Sequence, residues 1–345
     1  MDIITKNSTD KKHVNNKTKD KLGIALLGIG EYATDELMPA LQQTKECYLA
    51  ALISDDNVDQ VKKKFNVHDE NVYSYKNFDA IKDNPDVDIV YIVLPNSLHA
   101  EYVTRAAKAG KHVICEKPMA ITVEECDKMI AACKEAGKTL SIGYRLHYEP
   151  HNLKAMELGT KKVYGEITKV TANNGIPDID GWRLDKELAG GGALMDVGIY
   201  CIQAVRYTTG MEPVAVKARE EEKANPGKFK EIEESLSWEM KMPNGLIAEC
   251  KCSYSEDMDL LRVEAEKGWF ELKPAFTYHG IKGKTSDGDM NLKNVNQQAA
   301  QMDGISRAIK DNKPSAVPGE MGRQDVKIVQ AIYHSRKTGE WVRVN

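Results

Sequence analysis

From Lys21 to Tyr144, apolar runs of strand length alternate with helix-length patterns, and this rhythm constrains the fold more than any other property of the chain. Leu22 to Leu27, Leu49 to Ser54, Ile89 to Leu94, His112 to Cys115 and Leu140 to Tyr144 read as strands. Between them lie helical patterns running to about Gln43 and over Asn57 to Phe65, Phe78 to Asp83, His99 to Ala109 and Thr122 to Ala136. Gly110 and Gly137 follow two of these patterns, as glycines often follow helices. Strands alternating with helices mean βαβ units, and so a parallel sheet whose crossover handedness is nearly fixed.

After about Gly143 the rhythm changes. His151 to Leu158 reads as a helix and Gly165 to Asn173 as a strand, and a Gly-rich turn at Leu188 to Met195 opens a helix through Tyr207. Alternating segments follow at Val214 to Ala218, Glu234 to Met242, Leu246 to Tyr254, Leu261 to Glu264 and Gly268 to Leu272, which suits antiparallel strands with one polar face. The polar stretch 279–300 reads as loop, and Gly319 to Ser335 as a helix before a short tail strand. The expected division is a disordered or arm-like leader over residues 1–20, a first domain over 21–143 and a second, α+β domain over 144–345.

Composition narrows the partners. A net charge of -4 over 345 residues offers no basic footprint for nucleic acid. No uninterrupted apolar run approaches the ~18 residues of a membrane span, and the leader has no apolar core of signal-peptide length. Seven cysteines, an odd number without a C-x-x-C pair and mostly inside apolar runs, suit reduced thiols and a cytoplasmic location. His147 and His151 are four apart, but Pro150 interrupts them and no Glu follows the first, so no metal site is expected.

The turn after the first strand is Gly28-Ile-Gly-Glu-Tyr-Ala33. In a Rossmann-type unit Gly28 permits the tight turn, Gly30 lets backbone amides approach a pyrophosphate, and small Ala33 lets the helix close on the strand. The residues that read the ribose fall about 20 positions later, at Ser54-Asp55-Asp56. A carboxylate about 5 Å from a 2′-phosphate costs about 3 kcal/mol per unit charge at an effective dielectric of about 20. Ser54 tolerates a phosphate, but Asp55 opposes one, so NAD is favoured over NADP.

The strand His112 to Cys115 stops at Glu116-Lys117-Pro118, and the carboxyl ends of such strands are where ligands bind. Asp196 and Tyr200 are four apart on a predicted helix and share a face. Oxidising an alcohol by hydride loss needs a base for the hydroxyl proton. An ordinary tyrosine pKa near 10 is too high, but a neighbouring lysine cation favours phenolate, which makes Lys117 with Tyr200 a coherent pair.

Five stretches, LPNSLHAE (Leu94 to Glu101), AGKHVICEKPMA (Ala109 to Ala120), GYRLHYEP (Gly143 to Pro150), WRLDKELAGGGALMDVGIY (Trp182 to Tyr200) and the ending from Asn312 to Tyr333, resemble the Gfo/Idh/MocA family of sugar oxidoreductases, and within it the glucose–fructose oxidoreductase group. The resemblance implies an N-terminal Rossmann doubly wound α/β domain. It also implies a C-terminal α+β domain with a large open, mostly antiparallel sheet that serves as a homo-dimer or homo-tetramer interface. It makes Lys117 the contact to the reacting sugar hydroxyl, puts a cis bond before Pro118, and sets Asp196 and Tyr200 on the family's Asp-x-x-x-His/Tyr positions. Glu116, Pro118, Asn96 and His99 are then expected at the cofactor, Trp182 and Arg183 over it, and Arg145 and Tyr148 at sugar hydroxyls. The expected activity is hydride transfer between a glucose-like pyranose or polyol and NAD or NADP. A redox-assisted glycosidase with held NAD and a non-enzymatic sugar or NAD sensor are the competing readings.

Overall fold

In the computed structural model, which describes residues 20–56 and 58–344, the chain forms two sheets, each with its own core. The expected leader over 1–20 lies, except for Asp20, outside the described residues.

The first sheet contains β1 (Leu22–Leu27), β2 (Cys47–Ile53), β3 (Val72–Tyr73), β4 (Ile89–Ile92), β5 (His112–Cys115) and β6 (Leu140–Ile142). Their order is β3-β2-β1-β4-β5-β6 and every neighbouring pair is parallel. Helices cover both faces, which is why Ile89, Val90, Tyr91 and Ile92 are all fully buried. The order reverses between β1 and β4, and that switch point opens a crevice at the strands' carboxyl ends. The two-residue β3 has no predicted counterpart; it is too short to show a periodicity. The helix Val123–Glu135 begins at a reciprocal cap, Thr122 accepting from Glu125 N–H at 3.2 Å while Glu125 accepts from Thr122 N–H at 3.1 Å.

The second sheet holds β7 (Ile167–Gly175), β8 (Ala215–Glu220), β9 (Ser235–Lys241), β10 (Ile247–Ser253), β11 (Met258–Ala265), β12 (Gly268–Leu272), β13 (Gly283–Thr285), β14 (Gly288–Asp289) and β15 (Val342–Arg343). It runs β14-β13-β12-β11-β7-β10-β9-β8-β15, antiparallel except between β7 and β10. Alternation is clean in β9, where Leu236, Trp238 and Met240 face the core and Glu239 and Lys241 do not. Lys186–Thr209 is the one stretch among the described residues long and apolar enough to cross a membrane. Some 78% of its apolar window is buried, so its apolarity belongs to the protein core.

Residues 279–300 depart from the predicted loop. They hold the β13–β14 hairpin and the start of a helix, Gln297–Lys310. Ala299, Met302 and Ile305 face inward, but Gln297, Gln298 and Gln301 are buried beside them, and those polar side chains hid the apolar face. The helix returns to the first half of the molecule: Ala299, Met302 and Ile305, with Val317 and Val326, complete the core beneath the first sheet.

Candidate active site

A cleft of about 900 Å³ runs from the turn after β1, across the carboxyl ends of β4 and β5, to the end of β7. Gly28, at φ +93°, makes the turn; a Cβ there would sit 2.3 Å from the Val93 carbonyl. At Gly30 a Cβ would meet nothing within 4 Å, so the turn leaves room beside a helix start. Those two features fit a dinucleotide pyrophosphate. Ala33 is fully buried under the turn, not in the cleft.

At the far end of this half, Ser54 lines the cleft and its hydroxyl accepts from Asp56 N–H at 3.1 Å. Of the two acids that follow Ser54, Asp56 is in the lining and Asp55 is not; Asp55 turns back to accept from Tyr75 N–H at 3.3 Å. The cations in the lining, Lys117, Arg145 and Arg183, all stand at the other end of the cleft.

That other end is a charged network. The Lys117 ammonium donates to Asp196 Oδ1 at 2.9 Å and to the Asp196 carbonyl at 2.8 Å, and lies 4.9 Å over the Tyr200 ring. Asp196 Oδ2 accepts from Arg183 Nε at 3.1 Å and from the Tyr254 hydroxyl at 3.2 Å. Burial opposes the Asp196 charge, but Lys117 and Arg183 outweigh it and hold the carboxyl down at about 2. Burial likewise disfavours the Lys117 ammonium, yet Asp196, with Tyr200 and Tyr278, keeps it above the ordinary lysine value. Lys117 therefore remains a cation, held against the face of the Tyr200 ring.

Local structure aims these side chains. The Lys117–Pro118 bond is cis. Asp196 sits in a widened helical turn, Leu194–Gly198, a feature frequent at functional sites, and Tyr200 in the helix that continues it. Glu233, buried behind the turn, accepts from Gly192 N–H at 2.9 Å and Leu194 N–H at 3.1 Å and anchors that helix start.

Other expected residues divide. Asn96 and Glu116 line the cleft; the Asn96 amide ties β4's loop to the Ala189 carbonyl at 2.8 Å. His99 does not reach it. Its two ring nitrogens face the Leu94 and Pro118 carbonyls, each at 2.9 Å, and burial lowers its pKa. Pro118 itself is also behind the wall. Trp182 and Arg183 line the cleft. Arg145 does too, but its guanidinium is engaged by the Phe276 and Thr277 carbonyls and by Gln297 and stacks 4.4 Å from Tyr278, so it braces a loop. Tyr148 is a correction: its ring lies against Gly304 of the unforeseen helix, outside the cleft. His147 and His151 are hydrogen-bonded to Gln203 and Glu149, each at 2.9 Å or less, and no metal-holding cluster occurs among the described residues.

The profile of an oxidoreductase family with an NAD-binding Rossmann fold, GFO/IDH/MocA, matches residues 22–144, and that family's C-terminal domain matches 152–271. The chain belongs to this family. It is an oxidoreductase, similar to the crystal structure of an aldose-aldose oxidoreductase from Caulobacter crescentus complexed with glycerol (41% identity, TM-score 0.91, covering 94% of this chain and 99% of that one). A D-xylose 1-dehydrogenase [NADP(+)] of Haloarcula marismortui is 29% identical over 95% of this chain and 94% of its own length. A D-glucoside 3-dehydrogenase of Escherichia coli is 26% identical over 95% and 99%. Within the family's shared fold, the residues that sequence reasoning missed are Tyr254, Tyr278 and Tyr32. Tyr254 and Tyr278 reach the site from loops and Tyr32 from the helix start after the glycine turn, and no local spacing marks their meeting.

Proposed function

We propose that the protein oxidises an aldopyranose at C1, with Tyr200 taking the hydroxyl proton and Lys117 fixing the hydroxyl and the charge beside it. The observation that carries this reading is the Lys117–Asp196 pair over Tyr200, at the floor of the cleft that begins at Gly28. A bound nicotinamide dinucleotide supplies the hydride acceptor. The residues that hold it are the Gly28–Gly30 turn, Ser54, Asp56, Asn96 and Glu116, and Trp182 and Arg183 cover it. NAD is favoured, because Asp56 supplies the charge at the ribose end and the lining cations lie elsewhere. The similarity to an aldose-aldose oxidoreductase and a xylose dehydrogenase supports aldoses as the substrate class. The test is a panel of aldoses, polyols and glycosides assayed with NAD+ and NADP+. Lactone formed in step with reduced cofactor is expected, and aglycone release without net reduction would replace this reading with a glycosidase.

One observation favours a second course for the same chemistry. Tyr278 lies 5.6 Å from Tyr32 of the phosphate turn, and His279 reaches Glu36 at 3.6 Å, so a strap crosses the cleft. Slow exit of the dinucleotide would let a second aldose reoxidise it in place. The first sugar then yields a lactone, the second an alditol, and the hydride passes between them. Equal lactone and alditol formed by dialysed enzyme without added cofactor is the expected result for this course; lactone only on adding NAD+ excludes it.

A further inference from the structure

The helix Gln297–Lys310 places three buried glutamines against the cleft wall. Gln297 braces Arg145, Gln298 donates to Glu36 at 3.2 Å, and Gln301 donates from Nε2 to the Tyr91 hydroxyl at 2.7 Å. Tyr91 is fully buried in β4 and donates in turn to Glu116 Oε1, also at 2.7 Å. The other Glu116 oxygen accepts from Lys117 N–H at 3.2 Å. The carboxyl is wedged in place, since a Cβ at Gly143 would stand 2.6 Å from it. Glu116 forms part of the cleft wall beside Lys117, where the nicotinamide belongs on the reading above.

This three-residue chain satisfies either charge state of Glu116. With the Gln301 amide nitrogen toward Tyr91, the tyrosine proton points at an ionised carboxylate, and Gln301 Oε1 is buried without a partner. Turning the amide lets that oxygen accept from Tyr91, whose own oxygen then accepts a proton-bearing Glu116. The other charged or titratable groups facing Glu116 are Lys117, Arg145, Tyr32 and Cys115. Burial pushes the Glu116 carboxyl upward, against the pull of Tyr91 and Lys117.

We propose that Glu116 is the counter-charge that weights the cleft toward the oxidised, positively charged nicotinamide over the neutral reduced one, and that Gln301 acts through Tyr91 as the positioning residue that sets this charge. The inference rests on the dinucleotide reading above, but its test needs no sugar. NAD+ and NADH (and the NADP+ and NADPH pair) are titrated onto the full chain, calorimetrically or by reduced-nicotinamide fluorescence, from about pH 5 to about pH 9. In the wild type, preference for the oxidised form is expected to rise with pH as Glu116 ionises. Glu116→Gln flattens that dependence and lowers the preference about tenfold at the alkaline end. Gln301→Leu removes a donor from the chain, so the rise moves to higher pH with the alkaline plateau kept. Tyr91→Phe, which deletes only a hydroxyl, gives the same displacement should Gln301→Leu fail to fold. A pH-independent preference in the wild type, or an unchanged one in Glu116→Gln, overturns the proposal, and an unmoved midpoint in Tyr91→Phe overturns the role of Gln301. Failure of the wild type to bind any of these dinucleotides sinks the cofactor reading itself, and this inference with it.

Discussion

The two ends of the cleft are built by opposite means. At the phosphate end the chain contributes mostly backbone: a glycine at φ +93°, a second glycine facing open space, and a helix start, all within six residues of sequence. At the reaction end it contributes side chains, with Lys117, Arg183, Asp196, Tyr200 and Tyr254 converging from across nearly 140 positions. A backbone site is set by steric permission, which is local. A charge network is set by assembly, and each member depends on the others.

If that contrast is right, the largest effects come from the reaction end and leave the phosphate end alone. Lys117→Met is expected to cut turnover by about 10³-fold, and Tyr200→Phe by about 10² to 10⁴. Dinucleotide affinity, measured by titration, should change far less than turnover in Tyr200→Phe. Survival of activity on every accepted sugar in both variants would end the assignment of the pair.

The complementary break is Gly28→Ala. A Cβ forced into φ +93° and 2.3 Å from the Val93 carbonyl must move the turn, at a cost of about 1–3 kcal/mol. Chemical unfolding should show that loss together with weaker dinucleotide binding. A variant that binds normally would show that the turn is not the phosphate site.

Asp196 tests the network from within. Its carboxyl is held at about 2 in the fold, against about 3.9 in an unfolded chain. Depression of a carboxyl pKa adds stability above the unfolded value, which is lost as pH falls from about 4 to about 2, by about 2–3 kcal/mol in all. Asp196→Asn should abolish that acid-linked component of the unfolding free energy. It should also lower turnover about tenfold, since Lys117 loses the partner that aims it. An unchanged acid limb would mean that Asp196 is not ionised by its neighbours.

The same contrast explains what was legible in the sequence. The alternating rhythm and the glycine turn are local constraints, and the parallel sheet and the tight turn at Gly28 followed from them, whereas the strand order and its switch point are set by packing across the sheet. Lys117, Asp196 and Tyr200 were visible as residue types at suggestive spacing, but not their contacts. Lys117 meets Tyr200 over its ring, and Tyr254 joins from 58 residues beyond Asp196. The helix Gln297–Lys310 was illegible because buried glutamines look exposed in composition, and with it went the surroundings of Tyr148 and Arg145. His99 was misplaced for a simpler reason: a strand-end position does not say which way a ring turns, and this one turns inward to two carbonyls.

The smallest expected effect lies at the ribose, where Asp56 follows Ser54 in the cleft lining. Asp56 lines the cleft while Asp55 is occupied with Tyr75. Asp56 is exposed, so solvent reduces its repulsion of a 2′-phosphate well below the interior value. Asp56→Asn should therefore raise NADP+ affinity relative to NAD+ by only about fivefold, and Asp55→Asn by less. Titrating both cofactors onto both variants measures this directly. A larger effect from Asp55 than from Asp56 would mean that the loop after β2 rearranges on binding. Steric permission would then not be enough to describe even the backbone-built end of the cleft.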